Sequence, residues 1–108
     1  MRILFDQGTP VGIRDYLKEH TVRTAREQGW SALSNGELLR AAEDAGFDLL
    51  LTTDKNLPHQ QNLNKFKIAI VILGNTKWSL IQLKLPEIVQ SVNAAKSGTH
   101  TLIEIPER

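Results

Sequence analysis

The chain has no cysteine among its 108 residues, which excludes disulfide scaffolds and thiolate metal sites. Charge of one sign is also missing. The net value is +1, so any contact with RNA or DNA must come from local clustering or through metal ions that offset acidic side chains. No apolar run approaches the roughly 18 residues needed to cross a bilayer. The apolar start is about four residues long, far below the roughly 7–15 of a signal-peptide core. A soluble cytoplasmic protein with no membrane contact is expected. There is no glycine-rich phosphate loop, no nucleophile elbow, and no Ser/His/Asp or Cys/His set. His20, His59 and His100 have no metal-ligand spacing among them.

What remains is an ordinary globular composition, with 41% hydrophobic and 23% charged residues, and a length suited to one domain with one core. Residues 2–5 are largely apolar and stop at Asp6. Thr9-Pro10 reads as an N-cap followed by proline at the first helical position, opening a helix that runs to about Glu19. Residues 21–25 are a weak strand candidate, broken by Gln28-Gly29-Trp30. Ser34-Asn35-Gly36-Glu37 is a capping box that opens a second helix, which Gly46 ends. Leu49-Leu50-Leu51 reads as a strand buried on both faces and runs out at Asp54. A polar loop over 55–65 leads to a second fully buried strand at 68–73. An apolar helix follows from Trp78 to about Lys96, kinked or restarted at Pro86. Residues 99–105 alternate as an edge strand does. The order β-α-β-α-β-loop-β-α-β, with uninterrupted apolar inner strands, predicts a three-layer α/β/α sandwich around a mainly parallel sheet.

In open parallel sheets, chemistry gathers beyond the carboxyl ends of the strands. Asp6 and Asp54 each end one of the strongest strands, so both are expected at one rim. Paired carboxylates suit Mg²⁺ or Mn²⁺, hard cations that prefer oxygen ligands and retain water. An ion held there could activate water and neutralise a phosphate. The competing reading makes each aspartate a cap or turn residue, Asp54 in particular before Lys55-Asn56. Glu37 has two readings as well. The capping box with Ser34 explains it completely, and a site role requires its side chain to point at the rim. Lys55 is a candidate phosphate contact or a partner for a neighbouring acid, and Asn56 and Asn64 are candidate ligands or loop caps. Glu43, Asp44 and Asp48 fall at the opposite rim. Trp30 and Trp78 suit base stacking, or the core.

Residues 2–10 (RILFDQGTP), the helix start at 34–37 and residues 49–57 (LLLTTDKNL) resemble short PIN-like domains. These are compact relatives of PIN nucleases, found among candidate toxins of bacterial toxin–antitoxin pairs. Residues 78–98 and Glu104-Ile105-Pro106 resemble their last helix and strand. The resemblance implies Mg²⁺- or Mn²⁺-dependent cleavage of RNA by acids at the strand rim. Carried across, those acids are Asp6, Glu37 and Asp54. In such a nuclease Lys55 or Arg14 would steer the RNA backbone. It also implies an antitoxin partner, and a homodimer is a further candidate assembly. The pattern departs at Gln7-Gly8, where an acid and an asparagine are usual, and no fourth acid occurs between Asp54 and Glu87. Two other functions fit the residues. One is a PIN-like binding module without catalysis. The other is a phospho-receiver domain with Asp54 as acceptor, although Asp6 lacks a second acid beside it and no lysine follows the fourth strand before Lys77.

Overall fold

Leucine, isoleucine and valine runs that leave no position for a polar side chain can fold only where both faces are covered. The computed structural model, which describes residues 1–107, places three such runs at the centre of one sheet. β1 (Arg2–Phe5), β3 (Leu49–Thr52) and β4 (Ala69–Leu73) are buried at every position except Arg2. Two half-exposed strands, β2 (Thr21–Thr24) and β5 (His100–Ile103), form the edges. The order is β2-β1-β3-β4-β5, and every neighbouring pair is parallel.

Side chains alternate between two cores, as the two-residue period of a strand requires. Ile3, Phe5, Leu49, Leu51, Val71 and Leu73 pack on one side with Ile13, Leu17, Ile81, Leu85, Ile88 and Val92. Leu4, Leu50, Ile70 and Ile72 pack on the other with Leu38, Leu39, Ala42, Leu57 and Leu63. The helices therefore cover both faces. α1 (Asn35–Asp44) and the short α2 (Leu57–Gln60) lie on the second side. A 3₁₀ segment (Val11–Tyr16), α3 (Trp78–Ile81) and α4 (Leu85–Ala94) lie on the first. The three-layer arrangement is present, with a sheet that is wholly parallel. No described helix is long and apolar enough to cross a membrane.

Local signals account for the helix limits. The Ser34 side chain accepts from the Glu37 amide, and the Glu37 side chain accepts from the Ser34 amide, so the capping box at the start of α1 is complete. Gly46 follows its end with φ of 83°, a conformation costly for any residue with a Cβ. At Pro86 the expected interruption occurs. α3 stops at Ile81, a 3₁₀ turn (Gln82–Lys84) intervenes, and α4 begins with proline in its first turn, where no amide hydrogen is needed.

Two expectations need correction. The helix predicted from Pro10 to Glu19 is only the 3₁₀ segment Val11–Tyr16, and Thr9 does not cap it. Thr9 is buried, and its hydroxyl donates to the Leu51 carbonyl at 3.0 Å, which pins the chain to β3 instead. Val11 and Tyr16 are exposed, so Ile13 and Leu17 alone form the buried face. The loop over 55–65 is not featureless. It winds into α2 and a second 3₁₀ turn (Leu63–Lys65) because Leu57, Leu63 and Phe66 must bury against the sheet.

Candidate functional site

Every strand points the same way, so all the carboxyl ends share one rim. The strand order reverses between β1 and β3: β1 connects outward to β2, and β3 connects outward to β4. The β1/β3 boundary is therefore the switch point, the usual ligand position in doubly wound sheets. Asp6 leaves β1 there, and its amide donates to the Leu51 carbonyl at 3.0 Å. The register Phe5↔Leu51 puts Asp6 next to Thr52.

Thr52 links the two aspartates. Fully buried, its hydroxyl donates to Asp6 Oδ2 at 2.7 Å and accepts from the Asp54 amide at 3.1 Å. The other oxygen of Asp6, Oδ1, accepts from the Gln7 amide at 2.7 Å. Asp54 Oδ1 accepts from the Asn56 amide at 2.9 Å, and its Oδ2 accepts from the Asn35 side-chain amide at 2.7 Å. Asn35 is the first residue of α1, and it also donates to Gln60 Oε1 at 3.0 Å. Helix α1, strand β3 and α2 thus converge on one carboxylate. Gly8 closes the arrangement: a Cβ there would lie 2.9 Å from Thr53 Oγ1. Only glycine lets the loop after β1 come this near the end of β3 without displacing Thr53.

Every named partner of these four carboxylate oxygens is a donor. A carboxylate oxygen has two lone pairs, so each retains acceptor capacity. Among the described residues neither aspartate has a cationic partner, and the one ion pair is Arg14–Glu27. The donor set is hard oxygen throughout. Among the described residues no group of three histidine, cysteine, aspartate or glutamate side chains is placed to hold a metal ion. Two carboxylates alone would leave most positions around a hard cation such as Mg²⁺ or Mn²⁺ to water.

Glu37 does not join the pair. Its Oε1 accepts from the Ser34 amide at 2.9 Å, and its own amide donates to Ser34 Oγ at 3.4 Å. The Ser34 backbone bond, and then the Ser34 side chain, hold its carboxyl below the usual range. Lys55 is exposed and lines a shallow hollow of 260 Å³ with Gly74, Leu102, Glu104, Ile105 and Pro106, toward the β4–β5 side of the rim. Arg14 is committed elsewhere, with Nη2 donating to Glu27 Oε1 at 2.5 Å. Glu27 sits below the usual carboxylate range, first because the Thr24 amide donates to it and then because of Arg14. At the opposite rim, Glu43 accepts from the Lys67 and Ile68 amides, and Asp48 accepts from the Arg2 amide at 2.7 Å. Both have structural tasks there. The Asn64 amide belongs to its own turn, donating to Asn62 Oδ1. Trp78 and Trp30 pack against the first and second cores respectively.

Thr52 and Asn35 are the site residues that sequence reasoning missed. Thr52 carried a partial signal, a hydroxyl directly after three leucines, although Thr53 beside it offered the same one. Asn35 was hidden inside the capping box. The chain is a small α/β fold with a five-stranded parallel sheet and with Asp6 and Asp54 at one rim. No family model, curated protein or solved structure matches the chain.

Proposed function

We propose that this chain is a PIN-like, Mg²⁺- or Mn²⁺-dependent endoribonuclease, the cytoplasmic toxin of a toxin–antitoxin pair, with Asp6 and Asp54 as its cation ligands. One observation carries the reading. Two aspartates far apart in the chain follow adjacent central strands at the sheet's switch point. There one buried threonine hydroxyl donates to the Asp6 carboxylate and accepts from the Asp54 backbone amide. A divalent ion bound there would lower the pKa of a coordinated water and offset the charge of a phosphodiester. The protein's own part is positioning. Thr52 and Asn35 fix the rotamers of the two acids, as partners behind metal-binding carboxylates commonly do. Glu37 remains the helix cap in this reading and reaches the ion only by leaving Ser34. Lys55, exposed beside Asp54, contacts the RNA backbone, whereas Arg14 must leave Glu27 to do so.

Asp6→Asn and Asp54→Asn preserve shape and remove charge. Each should reduce Mn²⁺-dependent cleavage of a structured RNA by about 100-fold or more, since several kcal/mol of charge stabilisation is removed. Full activity in both variants would eliminate this site. The strand order favours one second reading, because phospho-receivers share it. Asp54 would then be the phosphate acceptor, and a phosphorylated Asp54 after incubation with acetyl phosphate would select that reading. A binding module without catalysis would show neither result and would give no heat on calorimetric titration with Mn²⁺.

A further inference from the structure

The two edges of the sheet are finished differently. On β2, the outward amide of Thr24 donates to Glu27 Oε1 at 2.8 Å, and the Thr24 carbonyl accepts from the Gln28 amide at 3.1 Å. Exposed Arg23 adds charge beside that edge, a common defence against strand addition. On β5 there is no such cover. The bonds from Ile70 N–H to the Thr99 carbonyl and from Gly74 N–H to the Ile103 carbonyl, both 2.9 Å, turn the odd-numbered residues toward β4. The amides and carbonyls of His100 and Leu102 therefore face outward, with no partner among the described residues. This strand contains no glycine, proline, lysine or glutamate, and Leu102 is 52% exposed.

We infer that β5 is a self-association edge, where two copies of the chain pair antiparallel about a twofold axis at Leu102 and continue one sheet into the next. The register follows from the side chains. His100, Leu102 and Glu104 are exposed and alternate with less exposed Thr101 and buried Ile103 and Ile105. Antiparallel alignments that satisfy the outward amides set Leu102 against the partner's His100, the partner's Leu102 or the partner's Glu104. Among the exposed residues, only the middle alignment pairs apolar with apolar. It also puts His100 opposite the partner's Glu104 on both sides of the axis, matching a ring N–H donor with a carboxylate. Direct cross-strand pairs of this kind stabilise a sheet, and like charges so placed oppose it. A twofold contact of one strand with itself uses up both β5 edges and leaves only the covered β2 edges outside. The β1/β3 boundary lies inside the sheet, away from the pairing edge. The inference does not rest on the nuclease reading, although Lys55 shares a hollow with Leu102 and Glu104.

Sedimentation velocity over a concentration series tests this on the intact chain. The wild type should show a dimer that grows with concentration. Leu102→Lys and His100→Glu, both at exposed positions, should each weaken pairing by about tenfold or more, because twofold symmetry counts every change twice. His100→Glu combined with Glu104→His restores opposite partners and should recover the dimer. Unchanged circular dichroism and melting in these variants separate lost pairing from lost fold. A wild type that stays monomeric at every concentration, its edge left for a strand of another protein, overturns the inference. So does a dimer indifferent to Leu102→Lys and His100→Glu.

Discussion

Thr52 is the residue on which the rim turns. Replacing it with valine leaves Asp6 Oδ2 and the Asp54 amide without their shared partner in a buried place. That should destabilise the protein by about 1–3 kcal/mol in urea titrations, while Thr52→Ser keeps the hydroxyl and most of the stability. Equal stability of the valine and serine variants would contradict the bridging role. Glu37 gives a second test through pH. Its pKa is lowered on folding, so its contribution is full above the ordinary glutamate value of 4.5 and fades as pH falls through the lower folded value. The stability difference between wild type and Glu37→Gln should therefore shrink on acidification. Because glutamine also completes a capping box, Glu37→Gln should keep RNA cleavage, and loss of cleavage would show that this carboxylate leaves Ser34 to reach the ion. Asp6 and Asp54 could be read from the sequence because each ended an apolar run. The fate of Glu37 could not, since one spacing served both a cap and a site, and only the side-chain direction separates them.

Among the elements, legibility followed burial. Strands β3 and β4 and helix α1 declared themselves through unbroken apolar runs, a complete capping box and a terminal glycine. The segment after β1 did not, because Thr9 has the local chemistry of a cap but spends its hydroxyl on a strand distant in sequence. Tertiary bonding of that kind leaves no periodicity to detect. The turns of the 55–65 loop were invisible for a similar reason, being held by isolated leucines rather than a repeating pattern. The caps of α1 can be tested directly. Ser34→Ala should cost about 1 kcal/mol, and Gly46→Ala, forced into a left-handed conformation, about 1–2 kcal/mol. Melting temperatures unchanged in both would remove these local signals as the reason α1 begins and ends where it does.

At the level of the whole molecule, one sheet supports both cores, so neither can unfold while the other stays packed. Trp78 reports on the first core and Trp30 on the second. Fluorescence of Trp30→Phe and Trp78→Phe variants should follow single denaturation curves, each coincident with far-ultraviolet circular dichroism of the same variant. Separate transitions would mean that the faces fold independently. The same parallel topology carries Asp6 and Asp54 to one rim of the sheet. Titrating Mn²⁺ into isotopically labelled protein and following backbone amide resonances locates any bound ion by its paramagnetic broadening. Signals of Asp6, Thr52 and Asp54 should fade first, and the Asp6→Asn/Asp54→Asn double variant should lose the effect. Broadening centred elsewhere, or equal in wild type and double variant, would contradict the assignment of this rim as a divalent-cation site.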